Sequence, residues 1–105
     1  MYENPEYDIS SFSNGLVRVK LNGKWGYIDK SGNEVIPLKY DDANSFSEGL
    51  ASVKLNGKWG YIDKSGNEVI PLIYVKKVHP FSDGLALVYL NGREFYIDKN
   101  GNEVK

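Results

Sequence analysis

Apolar and polar residues alternate in short runs along this chain, and glycine interrupts the runs every few residues. The stretch from Val17 to Leu21 reads Val-Arg-Val-Lys-Leu, and similar runs recur further along. Such alternation, in runs rich in Val, Ile, Tyr and Trp, is typical of half-buried β-strands. No segment carries an apolar stripe with helical spacing, so the pattern predicts an all-β protein.

The alternating runs belong to a unit that occurs three times. Residues 19–38 and 53–72 are identical over 20 positions at an offset of 34, and residues 88–104 repeat the pattern at an offset of 35. Each unit opens with Phe-Ser-x-Gly-Leu, starting at Phe12, Phe46 and Phe81. We therefore expect one compact domain with a lead-in at residues 1–11, repeats at 12–45 and 46–80, and a degenerate capping repeat at 81–105.

Two kinds of turn divide each unit into strands. Asn-Gly pairs lie at residues 22–23, 56–57 and 91–92. Both residues tolerate positive φ, so each pair predicts a type I′ turn that closes a two-residue hairpin. The segment from Asp29 to Gly32 and its counterparts predict a type I turn followed by a left-handed glycine, with the Asp side chain accepting turn N–H groups. A third strand follows at about residues 33–38 and 67–73, where Pro37 and Pro71 predict a strand end or a sheet edge.

The Asn-Gly turns fix the register of each hairpin and so assign its two faces. In the first unit Lys20 is predicted to lie opposite Trp25, and Arg18 opposite Tyr27. The face predicted to be core carries Val17, Val19, Leu21, Gly26 and Ile28. The other face carries Arg18, Lys20, Trp25 and Tyr27, which pair long cations with aromatic rings across the strands.

The third unit changes this pattern at paired positions. Glu94 replaces the tryptophan, Tyr89 replaces the lysine opposite it, and Phe95 replaces the following glycine. A Tyr89–Glu94 pair is therefore expected on one face. On the other face Phe95 is expected to fill the space that glycine leaves open, as suits a terminal repeat with no following neighbour.

Several phrases of the unit resemble the bacterial WG-repeat family. They are Gly-Lys-Trp-Gly-Tyr-Ile-Asp at residues 23–29 and 57–63, Phe-Ser-Glu-Gly-Leu-Ala at 46–51, and Ile-Pro-Leu-Lys-Tyr-Asp-Asp-Ala at 36–43. The resemblance covers nearly the whole chain after Phe12, although the third unit lacks the Trp-Gly pair. It implies short β-hairpin repeats, often fused to other domains, with a binding or scaffolding role. From the residues we expect a short twisted β-solenoid or rolled sheet of tandem antiparallel hairpins, with a trefoil-type barrel, or a propeller completed by a second chain, as alternatives.

The aromatic residues have two readings. Trp25, Tyr27, Trp59 and Tyr61 could form platforms for a sugar or peptide, or they could pack against the next unit. The candidate binding residues are Arg18, Lys20, Trp25, Tyr27, Lys54, Trp59, Tyr61, Tyr89 and Glu94. The linking loops also differ in charge, since Asp41, Asp42, Glu48 and Asp83 contrast with Val-Lys-Lys-Val-His at residues 75–79.

Composition narrows the function classes. The chain has 13 basic and 14 acidic residues, no cysteine and a single histidine, His79. Near-neutral charge argues against nucleic-acid or membrane binding, and no catalytic, metal or cofactor motif is present, so we expect a protein without enzymatic activity or cofactor. No leader sequence is seen, so the chain is expected to be cytoplasmic unless it is a fragment of a longer secreted protein.

These features favour a non-catalytic protein-interaction module, such as a small stand-alone inhibitor or adaptor that binds a larger protein. A carbohydrate or cell-wall binding module that uses the aromatic face is the first alternative. A structural spacer from a longer repeat array is the second. Open sheet edges also make a homo-oligomer plausible.

Overall fold

The computed structural model describes residues 15–104, so the expected lead-in at 1–11 and Phe12 lie outside the described residues. The strands are β1 (Leu16–Leu21), β2 (Lys24–Asp29), β3 (Glu34–Tyr40), β4 (Asp42–Ala43), β5 (Leu50–Leu55), β6 (Lys58–Asp63), β7 (Glu68–Tyr74), β8 (Ala86–Leu90), β9 (Arg93–Ile97) and β10 (Glu103–Val104). They form three antiparallel sheets, ordered β1-β2-β3, β4-β5-β6-β7 and β8-β9-β10. This confirms the all-β fold of tandem hairpins, and within the described part of the chain no sheet closes into a barrel.

Each repeat supplies one three-stranded meander, and the short strand β4 joins the edge of the second sheet. The described molecule is elongated, with extents of 45 × 25 × 19 Å. The core is divided into clusters that lie between successive sheets, as expected for a solenoid in which each unit contacts its neighbours.

The predicted hairpin register is confirmed. Asn22 and Gly23 have φ values of 54° and 80°, as a type I′ turn requires, and the other two Asn-Gly pairs have similar values. Lys20 pairs with Trp25, and Arg18 pairs with Tyr27. The short turn therefore sets the pairing along the whole hairpin.

The Asp-turn is also formed as predicted. Gly32 has a φ of 87°, and its N–H donates to the Asp29 carbonyl oxygen at 3.0 Å. The Asp29 Oδ1 atom accepts the N–H groups of Ser31 and Asn33, each at 2.9 Å. These bonds, with that from Asn33 foremost, hold the pKa of the Asp29 carboxyl below its ordinary value.

The proline of the third strand occupies one of its two predicted places. β3 lies at the sheet edge, as predicted, but Pro37 is in the interior of the strand rather than at its end. Trp25 pairs with Tyr40, and Tyr27 pairs with Ile36, so the single residue between them on β2 faces three residues on β3. The proline is accommodated in this bulge, where the ladder is interrupted.

The same bulge fills the space that was expected to be open beside Gly26. A Cβ atom on Gly26 would lie 2.6 Å from the Ile36 carbonyl oxygen and 2.8 Å from the Leu38 Cα atom. The space beside Gly26 is therefore filled by the backbone of β3, and the expectation of an open space is wrong. Phe95 is possible in the third repeat because no β3-like bulge crosses its position in the described chain.

Both faces of the first two hairpins are buried, and the aromatic face of each packs on the aliphatic face of the next repeat. We call the two resulting contacts the first junction, between repeats 1 and 2, and the second junction, between repeats 2 and 3. The core of the first junction contains Leu16, Trp25, Tyr27, Ile36, Tyr40, Ala43, Phe46, Ala51, Val53 and Ile62. The core of the second junction contains Leu50, Trp59, Tyr61, Ile70, Tyr74, Val78, Phe81, Ala86, Val88 and Ile97.

Candidate protein-binding surface at the repeat junctions

The tryptophans are core residues in this structure. Only 8% of Trp25 and 3% of Trp59 is exposed, and Tyr27 and Tyr61 are completely buried. None of the four rings presents an open face on which a sugar or peptide could stack. Their packing against the following repeat agrees with the structural reading of these residues, and it removes the observation that supported the carbohydrate alternative.

The buried tyrosines tie each repeat to the loop that follows it. The Tyr27 hydroxyl donates to the Asn44 carbonyl oxygen at 2.6 Å, and the Tyr61 hydroxyl donates to the His79 carbonyl oxygen at 2.7 Å. Burial raises the pKa of both phenols well above the ordinary tyrosine range, so both remain protonated donors. Each ring also contacts the next Phe edge to face, with centroids 4.8 Å apart for the Tyr27–Phe46 pair.

The predicted cation–aromatic contacts are present at the first hairpin. The Arg18 guanidinium lies 4.9 Å from the Trp25 ring centroid, and the Lys20 ammonium lies 5.7 Å from it. Arg18 also donates to the Ala43 carbonyl oxygen at 2.7 Å, which joins the hairpin to the loop. The half-buried Lys54 side chain is the counterpart of Lys20 in the second repeat.

The predicted pair in the third repeat is formed as well. The Tyr89 hydroxyl donates to a Glu94 carboxylate oxygen at 2.6 Å, and this bond raises the pKa of the phenol. The Lys76 ammonium lies 5.5 Å from the Tyr89 ring centroid. Unlike the tryptophans, these side chains are at the surface, so among the candidate residues this group is accessible to a partner.

A carboxylate holds the linking segment in place at the first junction. The Asp41 Oδ1 atom lies 2.7 Å from the Lys24 Nζ atom, and its Oδ2 atom accepts the Asn56 N–H at 3.0 Å. These two donors, with the Lys24 bond foremost, hold the pKa of the Asp41 carboxyl below its ordinary value. One side chain thus connects the hairpin turns of two successive repeats.

A different carboxylate spans the second junction. Glu48 accepts the N–H groups of Gly84 and Asp83 at 2.8 and 2.6 Å, and these bonds lower the pKa of the Glu48 carboxyl. The Ser47 hydroxyl donates to the Phe81 carbonyl oxygen at 2.6 Å. The second and third Phe-Ser-x-Gly-Leu phrases, at residues 46–50 and 81–85, are therefore joined directly to one another. Glu48 and Gly49 have positive φ values of 55° and 84° and form a tight turn. The sequence analysis did not predict this turn, although an Asn, Glu or Asp residue precedes glycine at this place in each of the three units.

Two clefts open at the surface of these junctions. The first, which we call the loop cleft, has a volume of about 620 Å³ and lies between the two linking loops. Its lining includes Asn44 to Ser47 from one loop and Lys77 to Pro80 from the other, together with Arg18. Cationic, polar and apolar groups therefore line an opening whose size suits a few side chains of a partner.

The second cleft, which we call the edge cleft, lies beside the outer edge of β8 and is of similar volume. It is lined by Lys58, Ile73, Val75, Lys76, Tyr89, Leu90, Asn91 and Gly92. Ile73 is 42% exposed and Val75 is 70% exposed, so the cleft has two adjacent apolar groups that are open to solvent. The sequence reading noted the charge of the 75–79 loop but did not foresee either cleft.

Within residues 15–104 no cluster of three or more His, Cys, Asp or Glu side chains could hold a metal ion. The same stretch contains no helix that is long and apolar enough to span a membrane. His79 lines the loop cleft with an exposed side chain.

Comparison with known proteins agrees with the repeat structure. No curated protein and no solved structure matched the chain. The family described as the WG containing repeat matches three consecutive segments, at residues 5–25, 25–59 and 59–93. Because these matches cover most of the sequence, the chain belongs to the WG containing repeat family.

Proposed function

We propose that this chain is a non-catalytic protein-interaction module that acts as a small inhibitor or adaptor of a larger protein. The residues that are identical between repeats are largely occupied in stacking the sheets or in forming turns. Many of the residues that differ lie in the linking loops, which contribute to the lining of both clefts. The loops can therefore recognise a partner without any change in the fold.

The observation that carries this proposal is the lining of the loop cleft. It combines Asn44 of the first linking loop with His79, which occupies the equivalent position of the second, and adds Lys77 and Arg18 at its rim. The backbone beneath is fixed, because buried tyrosines hold the carbonyl groups of both residues. A rigid backbone that displays unlike side chains suits selective recognition, since little order must be gained on binding.

The proposal is tested by capture followed by reconstitution. Tagged chain is incubated with an extract of its host, and a retained protein is then purified and titrated against the chain by calorimetry. Lys77→Glu is expected to weaken the reconstituted complex about tenfold, because it reverses a charge at the cleft rim. An effect of the complex on the partner's activity identifies an inhibitor, and recruitment of a third protein identifies an adaptor.

Lys30→Glu is the matched control, since Lys30 is an exposed lysine of the Asp-turn, outside the loop cleft. It makes the same charge change and is expected to alter the affinity by less than about twofold. Equal weakening by both variants would show a general charge effect, and the loop cleft would then not be the binding surface. Failure of every captured protein to bind in purified form would reject the interaction module itself.

A further inference from the structure

At the first junction the linking segment, residues 41–44, contains the short strand β4 and the acidic residue Asp41. The Asp41 N–H donates to the Lys54 carbonyl oxygen at 2.8 Å, and β4 continues the pairing along the edge of β5. The Asp41 carboxylate then reaches Lys24 and the N–H of Asn56. Backbone pairing and a carboxylate clamp thus act together on one extended segment.

The second junction lacks this segment. Its linking loop is one residue longer, and Val75 follows Tyr74 where Asp41 follows Tyr40. The His79 N–H donates to the Leu87 carbonyl oxygen, which reproduces the bond between Asn44 and Ser52. Before that point residues 75–78 form no strand, and the Tyr89 carbonyl oxygen, the counterpart of that of Lys54, receives no backbone N–H from them.

The groups that hold the carboxylate at the first junction are nevertheless present at the second. Lys58 is the counterpart of Lys24, and Asn91 is the counterpart of Asn56. Both line the edge cleft, and no carboxylate of the described residues lies within 4 Å of the Lys58 ammonium. Lys76 adds a second cation at the cleft.

The lining of the edge cleft also includes apolar residues. Ile73 and Val75 both line it, and both are substantially exposed. A strand laid beside Tyr89 would cover these two side chains while it paired with the part of the β8 edge that the His79–Leu87 bond leaves open. The cleft thus combines an unpaired Tyr89 carbonyl oxygen at the strand edge, two exposed apolar residues and the counterparts of the two donors that hold the Asp41 carboxylate.

We propose that the edge cleft binds an extended acidic segment of a partner protein by strand addition to β8. An Asp side chain of that segment occupies the place of the Asp41 carboxylate, between the Lys58 ammonium and the Asn91 N–H. The segment's backbone takes the pairing that Asp41 makes with β5. This inference rests on the proposed interaction function and names the chemistry of the partner.

The chain itself supplies the probe. A capped peptide with the sequence of residues 38–44, Leu-Lys-Tyr-Asp-Asp-Ala-Asn, is titrated into the isotope-labelled full chain and followed by NMR. The backbone amide signals of Asn91 and Gly92 are expected to shift in a saturable manner. A peptide with Asn in place of the first Asp is expected to bind about tenfold more weakly, because it cannot form the ion pair with Lys58.

Matched lysine variants locate the site. Lys58→Gln is expected to weaken binding of the Asp peptide about tenfold, whereas Lys24→Gln, whose site is already filled by Asp41, is expected to change it by less than about twofold. Val75→Asp places a carboxylate within the chain itself and is expected to reduce peptide binding by a similar tenfold factor. A dispersed NMR spectrum of each variant verifies that it is folded.

Three results would overturn the proposal. The Asp and Asn peptides could bind equally well, the two lysine variants could have equal effects, or heparin could shift the Asn91 signal as strongly as the Asp peptide does. Shifts confined to residues 44–47 and 77–80 would place the peptide in the loop cleft. That result would reject the edge cleft as a carboxylate site and leave the interaction function standing. An unchanged affinity of the Lys77→Glu variant for its partner would instead count against the loop cleft alone.

Discussion

The two junctions have nearly the same core and different surfaces. Nine of the ten core positions carry the same residue in both, and the one difference is Ala43 against Val78. At the surface the first junction is closed by β4 and the Asp41 clamp. The second leaves the β8 edge open at Tyr89, beside a cleft lined by Lys58 and Val75.

This difference shows that stacking and loop structure are separable. The second loop differs in length and in almost every side chain, yet the buried Tyr61 and Phe81 contact each other as Tyr27 and Phe46 do, with centroids 4.9 and 4.8 Å apart. Stability of a solenoid is approximately the sum of its repeats and interfaces, so a loop outside the interface can change at little cost. The predictions below test how alike the two junctions are, beginning with the feature that both require.

Gly60→Ala is expected to have the largest effect. A Cβ atom there would lie 2.7 Å from the Ile70 carbonyl oxygen and 2.8 Å from the Leu72 Cα atom, so the backbone of β7 must move. We expect a loss of about 3 kcal/mol in the free energy of unfolding, measured by urea titration of tryptophan fluorescence. Gly26→Ala is expected to cost a similar amount, because β3 crosses it in the same way.

Gly57→Ala provides the control for this prediction. Gly57 has a positive φ of 83°, but a Cβ atom added to it would meet nothing within 4 Å. The expected loss is about 1 kcal/mol, due to backbone strain alone. If Gly60→Ala proved no more destabilising than Gly57→Ala, the close approach of β7 would not be a constraint on the repeat.

Gly26 shows which part of the fold could not be predicted from the sequence. Asn22-Gly23 was sufficient to predict every pair of the first hairpin, because a two-residue turn leaves one register. Gly26 was read as an open space, because the bulge that fills it depends on how many residues β3 places opposite one residue of β2. Neither the alternation nor the turn encodes that number.

The binding surface was less predictable than the fold for a related reason. Alternation assigns residues to faces, but it does not say which face a neighbouring repeat will cover, so Trp25 could be read as core or as platform. The clefts depend on the length of the linking loop and on the absence of a β4 counterpart at the second junction. The contrast between Asp41 and Val75 was visible in the sequence, but its meaning required the positions of Lys24 and Asn56.

The tyrosine hydroxyls give the second prediction. Tyr61→Phe leaves the ring in place and removes the donor to the His79 carbonyl oxygen, so we expect a loss of about 1–2 kcal/mol in the free energy of unfolding. Tyr27→Phe should behave alike at the first junction. Tyr96 is the counterpart of both and is 50% exposed, so Tyr96→Phe should be close to neutral. Similar losses in all three variants would show that the bond to the loop does not stabilise the junction.

The smallest expected effect concerns the clamp that only the first junction has. Asp41 is exposed and its folded-state pKa is lowered, first by the bond from Lys24 and then by that from Asn56, so the ionised carboxylate favours the folded state. For a lowered pKa this stabilisation is fully present above the unfolded-state value of about 4 and is lost as the pH falls through the folded-state value. Asp41→Asn should therefore lower the urea midpoint slightly at pH 7, and its difference from the unaltered chain should shrink as the solution is acidified towards about pH 2.

Val75→Asp adds the missing carboxylate at the second junction. It should raise the urea midpoint at neutral pH and lose that gain in acid. A difference that does not depend on pH in either variant would mean that these positions act through packing, and the two junctions would then differ in shape alone.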